Sequence, residues 1–241
     1  MGETDKTIEL GHPSYVWRFG QNRRFELIRR YTHLEGARIL DVGCGLGLYV
    51  RQFRAYSADV WGVDIDPEKV AEASRTLPNI SQAPAEALPF PDDAFNVLLL
   101  HEVLEHVDDD RQAVVEAYRV LSHGGRLVIF APNRLYPFET HGIFWRGKYH
   151  YGNIPLVNYL PNRLRARLCP HVRVYTRTGL RQLLTGLHGR LIVHTQIYPG
   201  YDKIASRHRV LAAALRGATY TLEHTPLRYF GLSHFLVFEK S

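Results

Sequence analysis

Three glycines alternate at the end of a short apolar run in Ile39-Leu40-Asp41-Val42-Gly43-Cys44-Gly45-Leu46-Gly47. Glycine lets the chain turn with positive φ and lets a ligand come close to the backbone. A helix that starts just after the loop offers its first N–H groups to an anionic ligand group. A dinucleotide fingerprint beginning at Gly43 and Gly45 would place its third glycine where Leu48 stands; here the third is Gly47, and Asp41 precedes the first. That spacing argues against a nicotinamide or flavin dinucleotide. Asp64 closes the next apolar run, Val60-Trp61-Gly62-Val63-Asp64-Ile65-Asp66-Pro67, 23 residues after Asp41. Acids at an offset of roughly 20 residues accept hydrogen bonds from ribose hydroxyls in nucleotide sites. Asp66-Pro67 reads differently, as a helix cap followed by proline at the first helical position.

The elements that must carry these residues alternate. Residues 37–42, 59–63, 95–100 and 126–130 read as strands, and 79–82 as a short one. Residues 48–56 and 67–77 read as helices. Another helix ends at Leu121 behind Asp108, Asp109 and Asp110, whose charges suit its N-terminus. His123-Gly124-Gly125 reads as a turn, and residues 14–32 as a basic helix with Phe25 and Ile28 on one side. Beyond Pro132 the pattern breaks into a segment rich in aromatics, Arg, Asn and Pro. It resumes with a helix over 176–187, a strand over 190–197 and a last strand over 233–238. The fold class expected is α/β: one Rossmann-like domain over 1–241, with a mostly parallel sheet covered by helices on both faces. Its parts are an N-terminal helical segment (1–34), a cofactor-binding core (35–132) and two inserts (133–175 and 199–231). Ligands in such sheets bind at the carboxyl ends of the strands.

With 241 residues, 45% hydrophobic and 22% charged, the composition excludes a disordered or low-complexity chain. The longest clean apolar run, 210–215, is far short of the ~20 residues of a membrane span. The first ten residues lack a signal-peptide core, and two cysteines, Cys44 and Cys169, imply no disulfide framework; the expected compartment is the cytoplasm. The net charge of +6 is uneven: residues 1–132 carry 14 Lys+Arg against 20 Asp+Glu, and residues 133–241 carry 16 against 4. A basic second half points to an anionic partner or to a solvated surface.

The ordered set ILDVGCGLG, VWGVDIDP, AEALPFPDDAFNVLLLHEVLEHV, then Arg119-Val120-Leu121, Gly124-Gly125 and Leu127-Val128-Ile129, resembles the class I S-adenosylmethionine-dependent methyltransferases. Within them it is most similar to the small-molecule branch that includes the quinone-biosynthesis enzymes. The resemblance is dense over about residues 35–132. It implies a seven-stranded sheet whose last strand is antiparallel, and S-adenosyl-L-methionine as cofactor. It implies that Asp41, Gly43, Cys44, Gly45 and Gly47 surround the methionine end and that Asp64, with Ile65 beside it, holds the ribose. Ala85 and Glu86 are then expected by the adenine, and His101 at the substrate side. One position departs: the family commonly has an acid before the Ala-Glu pair, and Pro84 stands there.

Methyl transfer needs an aligned nucleophile, water exclusion and, for a hydroxyl acceptor, a base. Candidates are His101 and His106 after the fourth strand, and His141 with Glu139 as its orienting partner after the fifth. His101 and His106 are five residues apart with no third ligand evident, so no metal is expected. The function expected is methylation of a small or lipid-like acceptor, with oxygen favoured by the histidines. The alternatives are a nucleic-acid methyltransferase and a non-catalytic binding module. Against the nucleic-acid reading, His101-Glu102-Val103-Leu104 stands where base N-methyltransferases often carry an aromatic–proline tetrapeptide. No obligate protein partner is evident. Leu160, Leu164 and Leu168, spaced by four and flanked by Arg163, Arg165 and Arg167, together with Lys203 to Arg216, suggest peripheral contact with an anionic membrane.

Overall fold

The computed structural model describes residues 17–241. The expectations that fall before residue 17, the polar N-terminus and the start of the first helix, lie outside the described residues.

Helix α1 (Phe19–Tyr31) precedes a regular succession. Strand β1 (Ile39–Val42) leads to α2 (Leu48–Phe53), β2 (Val60–Asp64), α3 (Pro67–Ser74) and β3 (Ile80–Gln82). Then come β4 (Phe95–His101), α4 (Asp110–Val120) and β5 (Leu121–Pro132). The first insert holds short strands β6 (Phe138–Glu139), β7 (Ile143–Trp145), β8 (Lys148–His150) and β9 (Ile154–Pro155), then α5 (Asn162–Leu168). Helix α6 (Arg177–Gln182) and β10 (Gly189–Ile197) return to the sheet. The second insert carries α7 (Asp202–Ala205) and α8 (Arg209–Leu222), before β11 (Ser233–Lys240).

The seven-stranded sheet runs β10-β11-β5-β4-β1-β2-β3. β1, β2, β3, β4 and β5 pair in parallel, and β11 enters antiparallel between β5 and β10. Side chains alternate across it, as the two-residue period of a strand demands. Leu40, Leu98, Leu100, Leu127, Ile129 and Leu236 pack on one face with Ala113, Val114 and Ala117 of α4 and Leu180 of α6. Val97, Leu99, Val128, Phe130 and Phe235 pack on the other with Phe25 and Ile28 of α1 and Val50 and Phe53 of α2. The layered α/β architecture is therefore the one expected. Helix starts follow the local chemistry: Asp66 accepts from the Glu68 and Lys69 N–H groups ahead of Pro67, and Asp109 accepts from Gln112 N–H.

Two expectations are corrected. The turn at His123-Gly125 is absorbed into β5: Gly124 takes φ +74°, and the pairing with β4 shifts register between Phe95 and Val97. The strand thus carries a bulge instead of ending. In the first insert, Leu160 precedes α5, and Leu164 is 48% exposed. The inward face of α5 is Arg165, Leu168 and Cys169, packed at a small core with Val157 and Val172. Arg165 is not a solvated flank residue; it is 5% exposed. No helix among the described residues is long and apolar enough to cross a membrane.

Candidate active site

The loop joining β1 to α2 lies at the carboxyl edge of the sheet. Gly43, Gly45 and Gly47 adopt φ of +73°, +53° and +74°. A Cβ on Gly43 would fall 2.3 Å from Val103 Cγ2, and one on Gly47 2.3 Å from Leu77 Cδ1; one on Gly45 meets nothing within 4 Å. Gly43 and Gly47 are therefore required by the protein's own packing, whereas Gly45 faces open space. The loop N–H groups are largely committed inside the fold. Gly43 and Cys44 donate to the Val63 carbonyl at 2.8 and 2.9 Å, and Gly45 donates to Asp64 Oδ2 at 2.8 Å. These three N–H groups are turned inward, so an anionic ligand group is left to the first N–H groups of α2, and the open face at Gly45 suits close approach of a ligand.

Asp64 ends β2, 7% exposed, with Oδ1 accepting from Asp66 N–H at 2.9 Å. Asp41 is buried below the loop. Burial, and then the nearby Asp64 carboxylate, push its carboxyl well above the usual range, and no basic side chain among the described residues pairs with it. A cationic ligand group would satisfy it. Cys44 is buried, and burial raises its thiol. Ile65 is 63% exposed and Ala85 is buried. Glu86 is already occupied: Oε1 accepts from the Asp108 and Asp109 N–H groups at 2.9 and 3.3 Å, at the head of α4. Gln82 Nε2 donates to the Ile65 carbonyl at 3.1 Å.

At the end of β4 the chain turns sharply, with Glu102 at φ +55°. His101 Nε2 lies 2.7 Å from Arg24 Nη1 and 3.2 Å from the Tyr49 hydroxyl. Burial, and then Arg24, hold the imidazole neutral with a pKa near about 3. Because a guanidinium only donates, His101 Nε2 is the acceptor and its lone pair is spent. This removes His101 as a free base. Arg24 also pairs with Glu102 Oε1 at 3.0 Å and donates to Ser233 Oγ, which donates to Glu102 at 2.8 Å. Burial opposes ionisation of Glu102, but the Arg24 charge, with a hydrogen bond from Glu105, outweighs it and brings its carboxyl down to about 2.

Glu105 is 1% exposed, and its carboxyl lies against that of Glu102. Burial, and then the Glu102 charge, push its carboxyl well above the usual range. His106 follows it, with Nδ1 3.4 Å from the His171 carbonyl; burial, and then His141, lower its imidazole to about 4. From the first insert, His141 places its ring edge-on to His106, centroids 5.6 Å apart. Its Nδ1 lies 3.1 Å from Glu139 Oε1, so the expected His141–Glu139 pair is formed. Glu139 is 1% exposed, and its Oε2 accepts from Arg165 Nη2 at 2.5 Å. Burial opposes its ionisation, yet hydrogen bonds from His141 and the Arg165 charge bring its carboxyl down to about 2. Glu105, His106 and His141 each offer a ligating atom, all within 4.8 Å of one another. The reading that His106 has no further metal ligands within reach is therefore corrected: the third group comes from another element, 35 residues on.

Sequence reasoning missed Arg165, Arg24, Ser233 and the full role of Glu105. A signal for Arg165 existed: Glu139 is one of four acids in residues 133–241, beside an arginine-rich helix. A separate cavity of about 590 Å³ opens at the amino ends of β1 and β4 among Arg30, Tyr31, Ala37, Asn96 and Arg126. It contains none of the groups above.

A mostly parallel α/β sheet with a glycine loop, an acid at the end of the second strand and histidines over the same edge is the layout of a domain that takes a nucleotide-like ligand at its strand ends. A family described as "Methyltransferase domain" matches residues 40–129. The demethylmenaquinone methyltransferase of Thermus thermophilus is 34% identical over 154 residues, 55% of this chain and 68% of that protein. The ubiquinone biosynthesis O-methyltransferase of Paraburkholderia phymatum is 36% identical over 115 residues, 45% of this chain and 49% of its own. The chain thus spans about half the length of curated relatives such as this one. A crystal structure of an S-adenosylmethionine-dependent methyltransferase from Mesorhizobium loti shares the fold at TM-score 0.63 and 20% identity, covering 90% of this chain and 97% of that one. The chain belongs to the class I S-adenosylmethionine-dependent methyltransferases. Their cofactor fits the residues present: open space at Gly45, a buried acid at Asp41 with no basic partner among the described residues, and Asp64 beside the loop.

Proposed function

We propose that the protein methylates a hydroxyl oxygen of a small, lipid-like acceptor. The observation that carries this reading is the group of Glu105, His106 and His141 on the edge of the sheet that holds the glycine loop. Bound S-adenosylmethionine supplies a methyl on a sulfonium, which passes to a nucleophile while sulfur keeps the bonding pair. Asp41 sits at the methionine end of the cofactor and Asp64 holds its ribose, and the Val103 side chain ties the Glu102–His106 turn to the loop at Gly43. An acceptor hydroxyl set against the histidine group loses its proton there as its lone pair forms the new O–C bond. The test is transfer of labelled methyl to hydroxylated aromatics with an apolar tail, alongside amine, enol-type carbon and RNA acceptors. The expected product carries an O-methyl ether; label found only on nitrogen, carbon or RNA overturns the reading.

The second insert supports a lipid-like acceptor. Val210 is 85% and Leu211 52% exposed on α8, next to the exposed Arg207 and Arg209. Apolar side chains flanked by cations suit a headgroup boundary, each cation adding about 1 kcal/mol on an anionic surface. Co-sedimentation is expected with anionic vesicles, weakened by salt and by Val210→Ser/Leu211→Ser, and not with neutral ones. Absence of binding to anionic vesicles at low salt leaves only a soluble acceptor.

A further inference from the structure

We propose that Glu105, His106 and His141 form a binding site for one divalent transition-metal ion, with Glu139 and Arg165 as the support that orients it. Three independent features converge. The ligating atoms already lie within 4.8 Å of one another. Separations of roughly 3–4 Å follow from metal–ligand bonds of about 2.0–2.2 Å, so closure takes a shift of about an ångström. The tautomers are set by neighbours. His141 Nδ1–H points at Glu139 Oε1, and His106 Nδ1 faces the His171 carbonyl at 3.4 Å. Each ring therefore presents the Nε2 lone pair, the arrangement in which a carboxylate or carbonyl orients a metal-bound histidine.

The third feature is Glu105 itself. It is 1% exposed, its carboxyl lies against that of Glu102, and no basic side chain among the described residues pairs with it. A buried carboxyl beside a carboxylate keeps its proton, and a cation bound there would displace that proton and balance the charge. Glu102, by contrast, is already paired with Arg24 and Ser233. The donor set, two imidazoles and one carboxylate, suits Zn²⁺, Mn²⁺, Fe²⁺ or Co²⁺ better than Mg²⁺ or Ca²⁺, which prefer all-oxygen shells. Three protein ligands leave coordination positions open. The role of the ion rests on the O-methylation reading: with an ion bound, those positions would take the acceptor's hydroxyl oxygen and lower its pKa, so that its proton would leave to solvent instead of to the histidines. A hydroxyl with a second oxygen on the neighbouring carbon would bind through both.

Glu139 is a positioning residue here. One oxygen receives His141 and the other receives Arg165, whose Nη1 and Nε are held by the Val172 carbonyl and Asn158 at 2.8 and 3.2 Å. The insert thereby fixes the ring that supplies the third ligand.

The test uses the full chain stripped with chelator. Calorimetric titration with Zn²⁺ or Mn²⁺ is expected to show one ion per chain, and Co²⁺ to give a ligand-field spectrum in the visible. His141→Ala and Glu105→Gln should each weaken uptake by more than about 100-fold, and Glu139→Gln by roughly 10- to 100-fold. S-adenosylmethionine affinity, measured in chelator, serves as the fold control and is expected to stay unchanged in all three. No stoichiometric uptake, as a proton shared between Glu102 and Glu105 would give, overturns the site. So does uptake that Glu105→Gln and His141→Ala leave unaltered. Ion uptake without cofactor binding would instead sink the methyltransferase reading and leave the site standing.

Discussion

Asp64→Ala is expected to weaken S-adenosylmethionine binding by roughly ten- to a hundred-fold, and Asp66→Ala to leave it nearly unchanged. Each substitution deletes one carboxylate, two residues apart, yet the two groups do different work. Asp66 is spent on α3, where it accepts from the Glu68 N–H at 2.9 Å. Its loss removes a helix cap, a stability cost of about 1 kcal/mol. Asp64 faces the loop, and a charge-assisted hydrogen bond there contributes about 1.5–3 kcal/mol. Asp64 also accepts from Gly45 N–H at 2.8 Å and Asp66 N–H at 2.9 Å, so the alanine variant loosens the loop as well. Asp64→Asn separates the two contributions, because it keeps an acceptor for one N–H and loses the charge. Calorimetric titration with the cofactor and its demethylated product reads all three. Equal affinity losses for folded Asp64→Ala and Asp66→Ala would remove the ribose assignment.

Gly45→Val is expected to abolish detectable cofactor binding in a protein that still folds. A Cβ at Gly45 meets no protein atom within 4 Å, so the branched side chain enters the space the ligand needs. The φ of +53° adds a strain of about 1–2 kcal/mol, which a domain of this size can absorb. Gly47→Val is the contrasting variant. Its side chain would drive into Leu77 and its φ is +74°, so it should lower the melting temperature well beyond Gly45→Val. Thermal unfolding and cofactor titration on both variants give the comparison. Normal binding by a folded Gly45→Val protein would show that the ligand does not approach the loop.

The loop's turn and the position of Asp64 were legible in the sequence because their constraints are local: glycines at positive φ and an acid at a strand end. The alternating strands were legible because burial on both faces leaves continuous apolar runs, as in Val97-Leu98-Leu99-Leu100. The histidine group was not, since Glu105 and His106 meet His141 only through the tertiary arrangement. Arg165 was misplaced by a four-residue leucine spacing that ignored where α5 begins. With Asn162 as the first helical residue, Leu160 lies outside the helix, and the inward stripe runs through positions 165, 168 and 169. Glu86 looked like a ligand contact because its neighbours match the family, whereas its carboxylate is committed to the head of α4.

The buried Arg165–Glu139 pair has a bearing on how such a protein can be altered. An insert over an active site is commonly treated as an exchangeable cassette, replaced to change which molecule is accepted. Here the cassette and the chemistry share a strut: Cys169, Val157 and Val172 seat α5, α5 seats Arg165, and Arg165 holds the acid that aims His141. Because Glu139, His141 and Arg165 all lie in that insert, a graft that shaped a new acceptor pocket would have to bring the whole trio with it; on the proposed role of His141, a change of acceptor and the retention of rate must be selected together.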